Sequence, residues 1–300
     1  MRPEFIQASD LLRQDTPEAF SEAIGLLQNA VYSFSLKMCG HREDAEDTAQ
    51  DVLFRSLKHL PKLKEPAGLA AWLYTVTRNR CHRLRGNVHE SRSFKSSLQE
   101  LMPEEAELKM LLLDSAASPE DSVLTAERHD LLHQAVLHIP SRLRIVLVLH
   151  DMEELSTEEV ARILNLQEGS VRVRLHRARL FLRKEMFLAL RPALSGRSSE
   201  MGKKSEIKDR SARKPKDCRE LFASLSEYLD GRVNSNTARM IEAHVEHCPA
   251  CVVFLRDLRA AIKRCQSLEV KCEPAVTLRL RALMTTEYLR AIKSPSLKTT

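Results

Sequence analysis

The chain has 300 residues, a formal charge of +6, only 8 glycines and 12 prolines, and 7 cysteines. Sparse Gly and Pro, abundant Leu, Ala, Glu, Lys and Arg, and no sustained period-two alternation exclude collagen-like, low-complexity and strand-rich architectures. They predict an all-α chain of two or three modest units. Purely apolar runs, such as Ile145–Leu149, are too short to span a bilayer, and Arg2, Glu4, Asp10, Arg13 and Asp15 interrupt any signal-peptide core. The expectation is a soluble cytoplasmic protein without a membrane partner, whose basic balance permits nucleic acid but does not require it.

The first predicted unit spans 18–88. Within it, Ala45, Ala49, Val52, Leu53, Ser56, Leu57 and Leu60 recur at helical spacing and make one buried stripe. The same helix carries the acidic run Glu43–Asp47, a surface suited to docking on a basic partner, although acidic helix faces are also commonly just solvated. Further on, Arg78, Asn79, Arg80, Arg83 and Arg85 concentrate positive charge just after Trp72, the single tryptophan. An aromatic at helical spacing reads as a core anchor before it reads as an unstacking wedge. Residues 89–121 loosen into a Ser-containing linker with one short helix near 104–114.

The second unit, 122–190, contains the most informative pattern. Ser156-Thr-Glu-Glu159 is a capping box, and Val160, Ala161, Ile163 and Leu164 follow it as an inward face. Asn165–Gly169 turns the chain into a long helix with a packing stripe of Val171, Leu175, Ala178 and Leu182. Arg172, His176, Arg179 and Arg183 share a separate face, with Val173 and Arg177 beside it. A short capped helix, a tight turn and an arginine-bearing helix over 140–184 make a helix-turn-helix. Its second helix suits the major groove, where the arginine fork meets guanine or clamps phosphate.

The stretches 155–164 and 168–179 resemble the promoter −35 reading region of extracytoplasmic-function sigma factors. That resemblance assigns Arg172, Val173, His176, Arg177 and Arg179 to the −35 element. Glu43–Arg55 is similar to the helix with which the family docks on core RNA polymerase. Asp47, Gln50, Asp51 and Phe54 hold the positions that meet the β′ clamp helices. Ala71–Arg80 resembles the family's −10 reading helix. Arg78, Asn79, Arg80 and Arg83 fall on its basic surface, and Lys62, Leu63 and Lys64 in the loop that receives a flipped-out base. Recovering part of the few kcal/mol per unstacked step is what such a pocket contributes. The resemblance implies two small helical sigma domains, region 2 and region 4, and a factor that catalyses no reaction itself.

Residues 191–216 form a basic Ser- and Lys-rich tether, followed by a cysteine-rich unit at 217–265 and an amphipathic helix at 274–292. Cys218-x25-His244-x3-Cys248-x2-Cys251 supplies four soft or borderline donors. His244 and Cys248 share a helix face, and Pro249 breaks that helix so that Cys251 can return. The set suits tetrahedral Zn²⁺. Inert or redox-active thiols are the alternative reading, and His247 competes for the imidazole position. Residues 217–258, including Ser226–Gly231 and Ile241–His244, are similar to the zinc-binding anti-sigma domain. The resemblance therefore predicts an inhibitor-like module joined to its own sigma factor, folding back to mask polymerase- or DNA-binding surface. Cys265 and Cys272 lie outside the pattern and stay open as thiols, extra ligands or core. Two other functions stay open at this level. One is a helix-turn-helix regulator with a metal- or redox-sensing tail and no polymerase contact. The other is a thiol–disulfide enzyme using Cys248 and Cys251, which requires strands the sequence does not show.

Overall fold

Proline opens five of the helices in the computed structural model, where its fixed φ suits the first turn and its missing N–H is not needed. The structure describes residues 2–85, 125–195, 224–268 and 272–293, together with Leu101, Cys218 and Val270. In chain order the helices are α1 (Pro3–Arg13), α2 (Pro17–Cys39), α3 (Arg42–Ser56), α4 (Pro66–Arg85), α5 (Thr125–His138) and α6 (Ser141–Leu147). There follow α7 (Thr157–Leu164), α8 (Glu168–Ser195), α9 (Leu225–Leu229), α10 (Ser235–His247), α11 (Pro249–Gln266) and α12 (Pro274–Lys293). A 3₁₀ turn at Leu60–Lys62 precedes α4, and a π-helical turn at Val148–Met152 precedes α7. Among the described residues every regular element is helical. The short helix expected near 104–114 and residues 196–216 of the expected 191–216 tether lie outside the described residues; residues 191–195 of that tether are instead the last turn of α8.

Two compact units divide the chain, and neither is contiguous. The first joins residues 1–93, 148–168 and 269–300; the second joins 94–147 and 169–268. The helix-turn-helix pattern is therefore shared out: α7 belongs to the first unit and nearly all of α8 to the second.

In the first unit α2 is the hub, with α1, α3, α4 and α12 packed on it. Thr16 caps it by accepting the Ala19 amide, and Gly40, at φ 83°, supplies the left-handed residue that ends it. Leu27, Ala30, Phe34 and Met38 are buried along α2. Tyr74 from α4 sits between Phe5 and Phe34, with ring centroids 5.3 and 4.8 Å away. Helix α1 precedes the first unit expected from the sequence. Its Phe5 and Ala8 are fully buried and Leu11 and Leu12 half-buried, a helically spaced stripe that the sequence reading did not take up. At the chain's other end Tyr288 of α12 stacks on Phe20 at 3.8 Å and donates to Asp15.

The second unit closes around α8 and the cysteine-rich helices. Leu180, Leu225, Ile241, Cys251, Phe254, Leu255 and Leu258 form one buried cluster, with Phe181 and Tyr228 against it. Arg183 lies over the Phe254 ring at 4.7 Å and reaches Asp257. Burying seven such side chains at about 25 cal/mol per Å² holds α9, α10 and α11 on α8.

Candidate nucleic-acid and metal sites

The capping box forms in both directions: the Glu159 amide donates to Ser156 Oγ at 3.2 Å, and the Ser156 amide donates to Glu159 Oε2 at 2.8 Å. Asn165, at φ 52°, ends α7 in the left-handed region. On α8, Val171, Leu175, Ala178 and Leu182 are buried. Arg172, Val173 and Arg177 face solvent, Val173 with 55% exposure.

His176 and Arg179, expected from the sequence to face DNA, are buried instead. The Arg179 side chain is 2% exposed. Its guanidinium donates to both carboxylate oxygens of Asp230, at 3.0 and 2.8 Å, and to the Ser226 hydroxyl at 2.7 Å and carbonyl at 3.2 Å. This is the two-pronged geometry that gives arginine–carboxylate pairs their strength. Neither ring nitrogen of His176 has a hydrogen-bond partner among the described residues. Burial, helped by Arg179 and Arg177, lowers its pKa to about 4, so the ring is neutral near pH 7. The −35 face of the sequence reading thus divides into an outward part and a buried part, in which Arg179 is held by Ser226 and Asp230.

On the first unit, Asp47 and Gln50 are exposed on α3, and Phe54 is 54% exposed. Asp51 is half-buried because it receives Arg55 at 2.8 Å and Arg80 at 3.1 Å. Asp47 and Gln50 line one wall of a groove whose other wall is Cys272, Arg279 and Leu283, the last two on α12. On α4, Asn79 and Arg83 are exposed and Arg80 is half-buried. Arg78 is half-buried and donates to the Ile163 carbonyl of α7 at 3.0 Å. Lys62 and Lys64 are exposed and Leu63 half-buried; the Lys64 carbonyl accepts from Ser9 and Arg13, which fixes the loop before α4 to α1. Trp72 is half-buried against His59 rather than in the core, with ring centroids 5.1 Å apart.

Cys218, His244, Cys248 and Cys251 converge so that one donor atom from each lies within 4.8 Å of the others. His244 Nε2 is 3.4 Å from Cys218 Sγ and 3.2 Å from Cys251 Sγ. Tetrahedral zinc with bonds of about 2.0–2.3 Å separates its ligands by roughly 3.5 Å, so the donor set and spacing fit that ion. Asn234 caps α10 through the Thr237 amide, and Pro249 starts α11, so Cys248 stands at the corner between the two helices. Burial and the neighbouring Cys218 and Cys248 push the Cys251 thiol well up; a metal entering must displace that proton. His247 bonds its own helix carbonyl at Ala243 and stays outside the cluster, whose imidazole is that of His244. Cys265 is buried in α11, and Cys272 is buried beside Gln28, at 3.8 Å.

Three family models match the chain: Sigma-70 region 2 over residues 24–87, Sigma-70 region 4 over 129–182, and a zinc-finger family over 218–251. The chain is 26% identical over 176 residues to the ECF RNA polymerase sigma factor SigW of Bacillus subtilis, covering 58% of this chain and 92% of the relative. It is 30% identical over 156 residues to the RNA polymerase sigma factor YlaC of the same organism, covering 52% and 85%. With the RNA polymerase sigma-H factor of Pseudomonas aeruginosa it shares 25% over 189 residues, covering 62% and 96%. No described helix is long and apolar enough to cross a membrane.

Proposed function

Since the chain belongs to the RNA polymerase sigma factors, with ECF sigma factors among its relatives and a zinc-finger segment at its C-terminal side, we propose that it is a self-restrained promoter reader. Its working partners are core polymerase and promoter DNA. In this reading residues 18–88 bind core and the −10 element, and 122–190 bind the −35 element. Residues 217–265 are a zinc-held restraint carried in cis, tethered through 196–216 and followed by the 274–292 helix. Transcription initiation places the protein in the bacterial cytoplasm, and it catalyses no reaction of its own.

The observation that carries the restraint is Arg179. A guanidinium two turns along the same helix face from the exposed Arg172 already has both terminal nitrogens engaged by Asp230 and Ser226 of the cysteine-rich segment. The same donors cannot serve guanine or phosphate until that pairing is given up. Arg172, Val173 and Arg177 read the −35 element at once; His176 and Arg179 join after α9 withdraws. Arg78, Asn79, Arg80 and Arg83, with the Lys62–Lys64 loop, hold the −10 strand. Asp47, Gln50, Asp51 and Phe54 form the face for the β′ clamp helices, and α12 narrows access to its Asp47–Gln50 end.

Zn²⁺, held by Cys218, His244, Cys248 and Cys251, would supply a structural cross-link between the α10–α11 corner and the segment before α9. A short module with a small core gains most of its rigidity from such a tie. Co-purification with core polymerase, followed by run-off transcription from promoters selected out of a randomised library, tests the assignment. A helix-turn-helix regulator that acts without polymerase would bind duplex DNA alone, leave core unretained and support no transcript.

A further inference from the structure

Among the described residues of the first unit, Glu153 is a carboxylate with no exposure at all, and three donors from separate parts of that unit converge on it. Lys37 of α2, itself 0% exposed, meets Oε1 at 2.9 Å. The Tyr74 hydroxyl of α4 donates to Oε2 at 2.7 Å, and Arg2, just before α1, reaches the same oxygen at 2.8 Å. Arg2 also donates to the Met152 carbonyl at 3.3 Å. Glu153 itself is not part of the region 2 match, but lies inside the region 4 match.

The backbone around Glu153 is bent to deliver it. The Glu153 amide donates five residues back to Val148, closing the π-helical turn at Val148–Met152. Glu154, the next residue, stands at φ 57°, in the left-handed region that disfavours a residue with a Cβ. A π turn and a left-handed non-glycine side by side persist only where the surroundings over-determine them, and such features gather at switch segments. Burying two full charges is also not the cheapest way to fill a core, since apolar side chains of similar volume serve stability as well or better. What a buried ion pair gives is register: Glu153 fits one place only.

We propose that Arg2, Lys37 and Tyr74 form a carboxylate socket on the −10-reading unit, with Glu153 as its key. Keying holds residues 148–164 against α4 until polymerase or promoter DNA draws them away. The −10 helix is touched directly by the keyed segment, because Arg78 donates to Ile163 at the end of α7. Withdrawing the key frees Nη1 of that guanidinium, while its Nε and Nη2 stay on Asn79 of the same helix. The socket stands independently of the function proposed above; its consequence for DNA rests on Arg78 being a −10 contact.

Glu153→Gln in the full chain tests this by amide hydrogen exchange. Removing the charge of one member of a fully buried pair should speed exchange across 148–164 by about a hundredfold, while α2 amides at 20–36 keep their protection. A single-stranded oligonucleotide bearing the −10 sequence of a selected promoter should then bind about tenfold tighter than to the parent chain. Unchanged exchange over 148–164 overturns the proposal, as does equal acceleration of α2, which would make Glu153 an ordinary core element. Released exchange with unchanged oligonucleotide affinity upholds the socket and removes Arg78 from the −10 surface. If Glu153→Gln does not fold, Lys37→Met is read on the same amides, where faster exchange confined to 148–164 supports the socket and any other pattern overturns it.

Discussion

Replacing Asp230 with Asn takes one charge from the Arg179 pairing and leaves the rest of the cysteine-rich segment intact. Arg179 is 2% exposed and Asp230 20%. Breaking a fully buried pair costs about 3–5 kcal/mol. The partial exposure of Asp230, and the Ser226 hydroxyl and carbonyl that still accept from Arg179, reduce that to about 2 kcal/mol. At about 1.4 kcal/mol per factor of ten, the docked arrangement of α9 on α8 weakens roughly thirtyfold. A duplex carrying the −35 element should bind the full-length Asp230→Asn protein tighter by up to that factor, because a ligand that needs the minor open state gains what the closed state loses. Fluorescence anisotropy at fixed salt reads the affinity, salt being held because every phosphate contact is salt-dependent. Glu242→Gln, which removes an exposed carboxylate from α10, controls for the change in charge. Equal −35 affinity for Asp230→Asn and the parent chain would refute the idea that Arg179 is withheld from DNA.

Three further outcomes follow from the same geometry. Chelating zinc, or replacing Cys248 with Ser, should raise −35 affinity in the same direction as Asp230→Asn and lower the unfolding temperature of the cysteine-rich helices, measured by calorimetry with and without added Zn²⁺. His176 has a folded pKa of about 4 against an ordinary 6.5, so the unfolded chain binds more protons between those values. Stability is therefore highest above pH 6.5 and falls as pH drops towards 4, by at most roughly 3 kcal/mol. Urea unfolding at pH 7.5 and 5.0 should show a smaller loss in His176→Gln than in the parent. Phe54→Ala should weaken core polymerase binding about tenfold or more, as loss of an interface aromatic does, while changing stability by less than about 0.5 kcal/mol because the ring is already 54% exposed.

How far these features were legible in sequence depended on whether their causes were local. Ser156 and Glu159 announce α7 because both halves of a capping box lie within four residues. The stripe Val171–Leu182 announces the buried side of α8 because helical period is a local property. The burial of His176, Arg179 and Arg183 could not be read the same way. Arg179 meets Ser226 and Asp230 across 47 and 51 positions, and Arg183 meets Asp257 across 74. In sequence those arginines are one more charged face. Glu153 was equally opaque: it stands in the acidic run Asp151–Glu154, which reads as solvated, and its partner Lys37 is 116 positions away. The convergence of Cys218, His244, Cys248 and Cys251 was legible because Cys and His at that spacing have few other uses, whereas the place of His247 outside the cluster, bonded to Ala243, was not. Trp72 shows the opposite limit, a residue whose type predicted a core but which is half-buried, with His59 as its ring contact.

Run-off transcription with purified core polymerase, comparing the full chain with one ending at residue 195, measures most directly whether the C-terminal segment restrains the sigma factor. The truncated chain should give more transcript from the same selected promoter at equal protein concentration. Addition of zinc should change only the full-length reaction. Equal transcript from both chains, with both retained by core polymerase, would contradict the restraint.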